Sequence, residues 1–398
     1  FPTRRSSDLI NSYWMSEYKI DGFRFDFTKG FTNTPGDGSA YDASRIAILE
    51  RMSGEIWKRK SNAYVIFEHL TGNQEETELA NTGIMLWGNL NYAYCQSIMG
   101  YMTDSDLSWG VYSNRGWAQP NLVAYMESHD EERTMYKALT YGSKLGSYDV
   151  KNLSTALDRA KLCASFYLLQ PGPKMIWQFG ELGYDYSINT ASDGVTIGDT
   201  HRTDPKPIRW DYYDVPQRKA LYDVYARLNY LKANYPVFSS SDVSYSIGAT
   251  MGRSIVWRSA GMNAFVVGNF GTIAITVNAT LPKAGTWYNA ITGESETIPS
   301  TTYSVVLAPG EYRLYIDQAV SSIENTISPD ESPIVFSENK IWYKGAGKAD
   351  IRILDLTGRL ISEDIISNNL DLTYLQKGIY LVLVSENGKQ YSSKLMKN

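Results

Sequence analysis

The stretch Asp21-Gly22-Phe23-Arg24-Phe25-Asp26-Phe27 decides how the rest of the chain is read. Its residues alternate with the period of a β-strand: Phe23, Phe25 and Phe27 take one face, and Gly22, Arg24 and Asp26 take the other. If the strand belongs to a barrel, the phenylalanines face surrounding helices. Arg24 and Asp26 then share the interior near the C-terminal end of the strand, where barrel active sites are built. A guanidinium beside a carboxylate holds it ionised, as a nucleophile must be at neutral pH. Taken alone, the pair reads equally as a structural ion pair on a half-polar strand.

The surrounding sequence, from Asn11 to Asn234, alternates short β-rich apolar runs with longer amphipathic stretches, the rhythm of βα units around a parallel sheet. Five strands are expected, at Gly22 to Phe27, Tyr64 to Phe67, Met85 to Leu90, Leu122 to Met126 and Lys174 to Phe179. Helices are expected near Asp42 to Lys60, Leu153 to Leu169 and Gln217 to Ala233, and Pro171-Gly172-Pro173 marks the turn into the last strand. That set fits a truncated barrel or an open sheet. Past Pro236 short β segments recur between Gly, Pro and Asn, at Ser254 to Arg258, Ala264 to Asn269, Ile273 to Val277 and Glu311 to Ile316, as in a small β-sandwich. Val320 to Ser332 is rich in Ser, Asn, Pro and acids and reads as a linker. A second β pattern closes the chain, with turns at Gly358 and Asn387-Gly388. At the other end, Phe1 to Leu9 is a polar, basic lead-in without the apolar core of a signal peptide. It is set aside from the fold as a non-native segment or a frayed terminus.

Composition narrows the function classes. The chain has 398 residues, 43% hydrophobic and 20% charged, with a mean hydropathy of −0.32, an ordinary globular range that fits two or three domains at about 150 residues each. Lys and Arg number 38 against 43 Asp and Glu, and no basic patch gathers, so nucleic acid is an unsuitable partner. No apolar run is long enough for a transmembrane segment. Cys95 and Cys163 have neither disulfide nor metal-ligand spacing and read as buried thiols. Three histidines (His69, His129 and His201) argue against a His-rich zinc site. The 30 Tyr, 12 Phe and 10 Trp suit sugar-stacking clefts and β-rich secreted domains alike.

Two more strands end on carboxylates. Tyr64 to Phe67 runs into Glu68; an acid at the dry mouth of an apolar strand has a raised pKa, as a proton donor to a leaving oxygen requires, though such a Glu is also a common solvated loop residue. Leu122 to Met126 runs into Glu127-Ser128-His129-Asp130-Glu131-Glu132-Arg133. There His129 and Asp130 can hold sugar hydroxyls, the acidic loop can instead cap the next helix, or a His-Asp pair can ligate a metal. Trp87, ending the strand between them, can stack on a sugar face or fill the rim. Three carboxylates on three strand ends converge on one rim, and two of them suffice for displacement plus proton transfer. Retaining glycoside hydrolysis needs such a pair with carboxyl groups about 5 to 5.5 Å apart.

At these residues the chain resembles the α-amylase family of glycoside hydrolases. GFRFDFTK (22–29), VIFEHL (65–70) and VAYMESHD (123–130) look like its second, third and fourth conserved regions, in order. The resemblance implies Asp26 as nucleophile, Glu68 as general acid/base, Asp130 as transition-state stabiliser, Arg24 and His129 as supports, and Lys29 as a substrate contact. The His that often follows that lysine is Gly30 here. The family's first region has no counterpart before Asp26, so the implied fold class is α/β: a partial (β/α)8 barrel holding only the later strands, then a β-sandwich and a small Ig-like β domain. Calcium, which many relatives bind through that first region, is therefore not expected, and neither is any other cofactor. The tail (IRILDLTGRL at 351–360, LQKGIYLV at 375–382, KLMK at 394–397) resembles the C-terminal sorting domain of the type IX secretion system; a plain Ig-like accessory sandwich is the alternative.

The expected domains are a lead-in at 1–9, a partial catalytic barrel at 10–235, a β-sandwich at 236–318, a linker at 319–332 and a sorting domain at 333–398. The expected protein is secreted or at the cell surface and meets two partners, an α-glucan polysaccharide or oligosaccharide and the type IX machinery. It hydrolyses α-1,4-glucosidic bonds with retention, and this stretch alone, lacking the earlier barrel strands, is expected to be poorly stable and nearly inactive. A transglycosylase with the same carboxylates, or a catalytically dead glycan-binding protein, are the alternatives.

Overall fold

The structure, a computed structural model, describes residues 2–319, 333–337, 339–345, 347–355, 359–386 and 389–397. The expected linker at 320–332 and the expected turns at Gly358 and Asn387-Gly388 lie outside them. The chain forms two compact units, Phe1–Val320 and Ser321–Asn398.

The first unit is built on a parallel sheet of β1 (Gly22–Phe25), β2 (Tyr64–Phe67), β3 (Met85–Asn89), β4 (Leu122–Tyr125) and, past the short hairpin of β5 (Lys144–Leu145) and β6 (Tyr148–Asp149), β7 (Lys174–Met175). The order is β1-β2-β3-β4-β7, so β1 and β7 are open edges. Period-two alternation sorts the side chains. Val65, Phe67, Leu86, Leu122 and Ala124 join Phe23 and Phe25 in the core beneath the helices, while Trp87, Val123 and Tyr125 pack with Ile66, Met85 and Met175 on the inner face. Gly22 lets β1 approach β2 closely, since a Cβ there would sit 2.1 Å from the Tyr64 carbonyl oxygen.

Helices α1 (Pro2–Glu17), α2 (Ala43–Arg59), α3 (Asn73–Asn81), α4 (Asn91–Met99), α5 (Thr134–Tyr141), α6 (Leu153–Tyr167) and α7 (Pro216–Asn234) accompany the sheet. The three anticipated helices, α2, α6 and α7, are present. The shorter α3, α4 and α5 went unread because eight or nine residues display too few turns for a clear 3.6 period. Pro2 to Leu9, set aside from the fold above, form the first half of α1, which packs on α2 with Asp8 3.1 Å from Arg51 and leaves Leu9, Ile10, Tyr13 and Trp14 exposed. Four strands end earlier than expected, β3 and β4 by one residue, β1 by two and β7 by four. After β1, Phe27 (φ 45°) adopts the left-handed conformation, which ends extended backbone. Phe27 therefore leaves the aromatic face of the strand and is 55% exposed.

A β-sandwich completes this unit. Its larger sheet orders β13 (Ser295–Ile298), β12 (Gly285–Asn289), β15 (Tyr312–Ile316), β10 (Asn263–Asn269), β9 (Gly252–Arg258) and β8 (Val243–Ser246), and β11 (Ile275–Thr280) pairs with β14 (Thr302–Leu307). Strand β10 is buried on both faces. Ala264 and Val266 join the helical core and Phe265 and Val267 the inter-sheet core. Gly268 admits α6, whose Leu162 would lie 2.5 Å from a Cβ there. The buried Arg159 of α6 donates to the carbonyls of Ser97 (2.6 Å), Ile98 (2.6 Å), Phe270 (2.6 Å) and Gly271 (3.0 Å), tying the helical layer to the sandwich. Cys95 and Cys163 are buried free thiols, and burial pushes Cys163 up to about 12.

The second unit has its own core around Ile341, Ile351, Ile353, Leu372, Val382 and Val384. One sheet orders β16 (Ile334–Ser337), β17 (Lys340–Tyr343) and β20 (Asn369–Asp371). The other orders β19 (Leu360–Ile366), β18 (Ala349–Asp355), β21 (Gly378–Glu386) and β22 (Lys389–Lys397). Among the described residues no helix is long and apolar enough to cross a membrane.

Candidate active site

Strands β1 to β4 run parallel, so their C-terminal ends meet on one rim. Arg24 holds the first two carboxylates together, with Nη1 at 2.5 Å from Asp26 Oδ1 and Nη2 at 3.0 Å from Glu68 Oε2. The environments of the two acids differ sharply. Asp26 is 75% exposed and Glu68 only 14%. The Arg24 hydrogen bond, with one from Glu68, lowers the Asp26 carboxyl. Burial raises Glu68 against the opposing bond from Phe27 N–H and the charge of Arg24. The two carboxyls therefore shift in opposite directions, Asp26 toward its ionised form and Glu68 toward its protonated form.

The turn after β1 is stitched to the end of β2. Phe27 N–H donates to Glu68 Oε2 (2.9 Å) and Thr28 N–H to the Glu68 carbonyl (2.9 Å). Behind them His69 is fully buried, and burial lowers its pKa. A neutral ring gives its Nε2–H to the acceptor-only Glu75 carboxylate (2.9 Å), leaving Nδ1 to accept from the Thr28 hydroxyl (2.9 Å). The buried Arg45 closes the network. Its Nε and Nη2 donate to the two Glu75 oxygens (2.6 and 2.7 Å), and its remaining N–H groups reach the carbonyls of Lys29 (2.6 Å), Gly38 (2.7 Å) and Ala40 (2.8 Å). This framework was not read from the sequence, because the pairing of Arg45 on α2 with Glu75 on α3 spans 30 residues and has no local signature.

The third carboxylate joins the other two through an aromatic bridge. The Arg24 guanidinium lies 4.0 Å from the centroid of Trp87, whose ring meets that of His129 at 6.0 Å. His129 Nε2 lies 3.1 Å from Asp130 Oδ2, and its charge also helps lower Asp26. Arg202 flanks Asp130 from the far side, at 3.5 Å from Oδ1, and donates to its carbonyl. Nothing local in the sequence signalled that contact.

Asp26, Glu68, Arg24, His129 and Asp130 therefore share one patch. Trp87 does not take its expected place: it is 6% exposed with Arg24 over its ring, so it supports the guanidinium instead of presenting a free face to a sugar. The Lys29 ammonium lies 5.6 Å from the Phe27 ring centroid. The rim itself is open. A cavity of about 560 Å³ lies beside β7, lined by Trp177, Phe179, Glu181 and Trp210.

The architecture matches solved structures. An α-amylase from Anoxybacillus aligns at a TM-score of 0.55 and 15% identity, over 78% of this chain and 61% of its own. AmyP, solved in complex with maltose, aligns at 0.57 and 16% over 79% and 67%, and the trehalose-6-phosphate hydrolase of Bacillus licheniformis at 0.57 and 14% over 79% and 68%. The first unit has the α-amylase fold. The chain spans about three-fifths of the length of the first solved amylases it resembles. Residues 334–398 match the family model of the secretion system C-terminal sorting domain, which marks the chain for export to the cell surface or the medium. No curated protein sequence matches the chain. Among the described residues no group of three His, Cys, Asp or Glu side chains is placed to hold a metal ion.

Proposed function

We propose that the amylase-like unit, taken as a partial barrel (10–235) with its β-sandwich (236–318), carries the catalytic rim of a retaining glycoside hydrolase acting on α-1,4-glucans. The C-terminal domain (333–398) passes it to the type IX secretion machinery. The observation that carries this reading is the opposed pair on Arg24: an exposed carboxylate held ionised beside a buried one pushed toward its protonated form.

In the first step Asp26 attacks the anomeric carbon while the C1–O bond breaks and the leaving oxygen takes the Glu68 proton. In the second a water gives its proton to Glu68, and its oxygen displaces Asp26 from C1, restoring the anomeric configuration. Asp130, oriented by His129 and Arg202, accepts hydrogen bonds from ring hydroxyls as positive charge develops. A sugar entering the rim meets Asp26 at its anomeric carbon and Glu68 at its glycosidic oxygen.

Both sheet edges of the chain are open and Asp26 is exposed, so turnover by the 398-residue chain is slow. Extended incubation with maltooligosaccharides, followed by NMR of the fresh products, tests the reading. Slow release of the α-anomer, lowered about 10²–10⁴-fold in Glu68→Gln, is expected. Release of the β-anomer, or a rate unchanged in Glu68→Gln, overturns it.

A further inference from the structure

A second hollow, of about 410 Å³, opens beside the catalytic rim, lined by Asn89, Tyr92, Asp104, Asp106, Trp109 and Glu131. It touches the centre already described through one side chain. Glu131 accepts from Asn89 Nδ2 (2.6 Å) and from the Tyr125 hydroxyl (3.3 Å), and the Tyr125 ring packs at 5.0 Å on Trp87, which supports Arg24.

The hollow is a built site. Its outer wall, the loop at 104–109, is pinned by two buried arginines. Arg253 donates to Ser105 Oγ (2.6 Å); Arg115, itself paired with the buried Glu76 at 3.0 Å, donates to the Trp109 carbonyl (2.8 Å). The Arg115 guanidinium also backs the Trp109 ring at 4.5 Å, fixing one face while the side chain stays 49% exposed. Tyr92, 62% exposed in the first turn of α4, stands on the opposite wall. Leu107 N–H donates to the Ile247 carbonyl (3.0 Å), which holds the loop in place.

Two aromatic rings open to solvent, Trp109 backed by Arg115 and Tyr92 exposed, with amide and carboxylate acceptors in the same hollow, fit a pyranose. Its C–H face packs on the ring planes and its equatorial hydroxyls donate to the carboxylates. Three carboxylates in the same hollow repel phosphorylated or acidic sugars. We infer that this hollow, between the loops following β3 and β4, is a glucosyl subsite that holds a neutral unit of the α-glucan away from the scissile bond, with Trp109 and Tyr92 as its platforms. The inference rests on the proposed α-glucan reading and extends it to chain-length selection.

Equilibrium titration of the 398-residue chain with maltoheptaose tests it, using wild type, Trp109→Ala and Tyr92→Ala. Binding weakened about tenfold by Trp109→Ala is expected, the loss of one aromatic platform. Tyr92→Ala, at an exposed helix position off the pinned loop, shifts affinity in the same direction even where Trp109→Ala disturbs the loop. Maltoheptaose binding left within twofold by both variants overturns the subsite while leaving the catalytic reading intact. Absence of maltoheptaose binding to wild type contradicts both.

Discussion

Arg24 is the residue on which the chemistry turns, because one guanidinium meets two carboxylates and leaves them in opposite states. Its hydrogen bond is the largest cause lowering Asp26, and its charge also opposes the burial that raises Glu68. Replacing it by Met removes both effects, so both carboxyls titrate at higher pH. The acid limb of the pH–rate profile, where Asp26 takes up a proton, moves up. The alkaline limb, where Glu68 loses its proton, moves up with it. Carboxyl ¹³C titration of wild type and Arg24→Met checks this, and an Asp26 titration unmoved by the substitution contradicts it. In the sequence Glu68 stood out because it directly follows an apolar run, Asp26 because it alternates with phenylalanines, and Asp130 because it lies in the acidic stretch after the run from Leu122 to Met126. Trp87 misled, since a tryptophan at a strand end looks the same whether its face is free or covered by a guanidinium. Arg202 was invisible: its contact with Asp130 joins a loop to a strand end 72 residues away.

At the scale of the elements, the exits of β1 and β2 are braced by groups with no catalytic task. Arg45, Glu75 and His69 are buried together, and their hydrogen bonds hold the loop carrying Lys29 to Ala40 against the Glu68 turn. Arg45→Met leaves the buried Glu75 carboxylate without its cation, with only the Asp42 N–H and His69 as partners, so a loss of about 3–5 kcal/mol is expected. Urea unfolding followed by tryptophan fluorescence measures it, and a midpoint equal to wild type would remove the brace from the account. The strands themselves were legible from hydrophobic runs, β2 to the residue. The end of β1 was not, because the left-handed turn at Phe27 falls on a residue that ordinarily extends a strand. The half-length α3 to α5 were lost for want of turns.

For the whole molecule, the separate cores of the two units predict separate unfolding. A chain ending at residue 319 is expected to unfold with the midpoint of the larger transition of the full chain. A midpoint lowered by more than a few degrees would show that the sorting domain contributes to the stability of the amylase-like unit. The order of the strands in the half-barrel matters more for function, since it brings motifs spread from Arg24 to Asp130 onto one rim. The most direct test of that convergence is mass spectrometry of Glu68→Gln after incubation with α-maltosyl fluoride. Its fluoride departs without a proton donor, while the missing base stalls release of the intermediate. The account predicts a maltosyl ester confined to Asp26 and abolished by adding Asp26→Asn; an ester on another carboxylate, or the same adduct in the double variant, would contradict it.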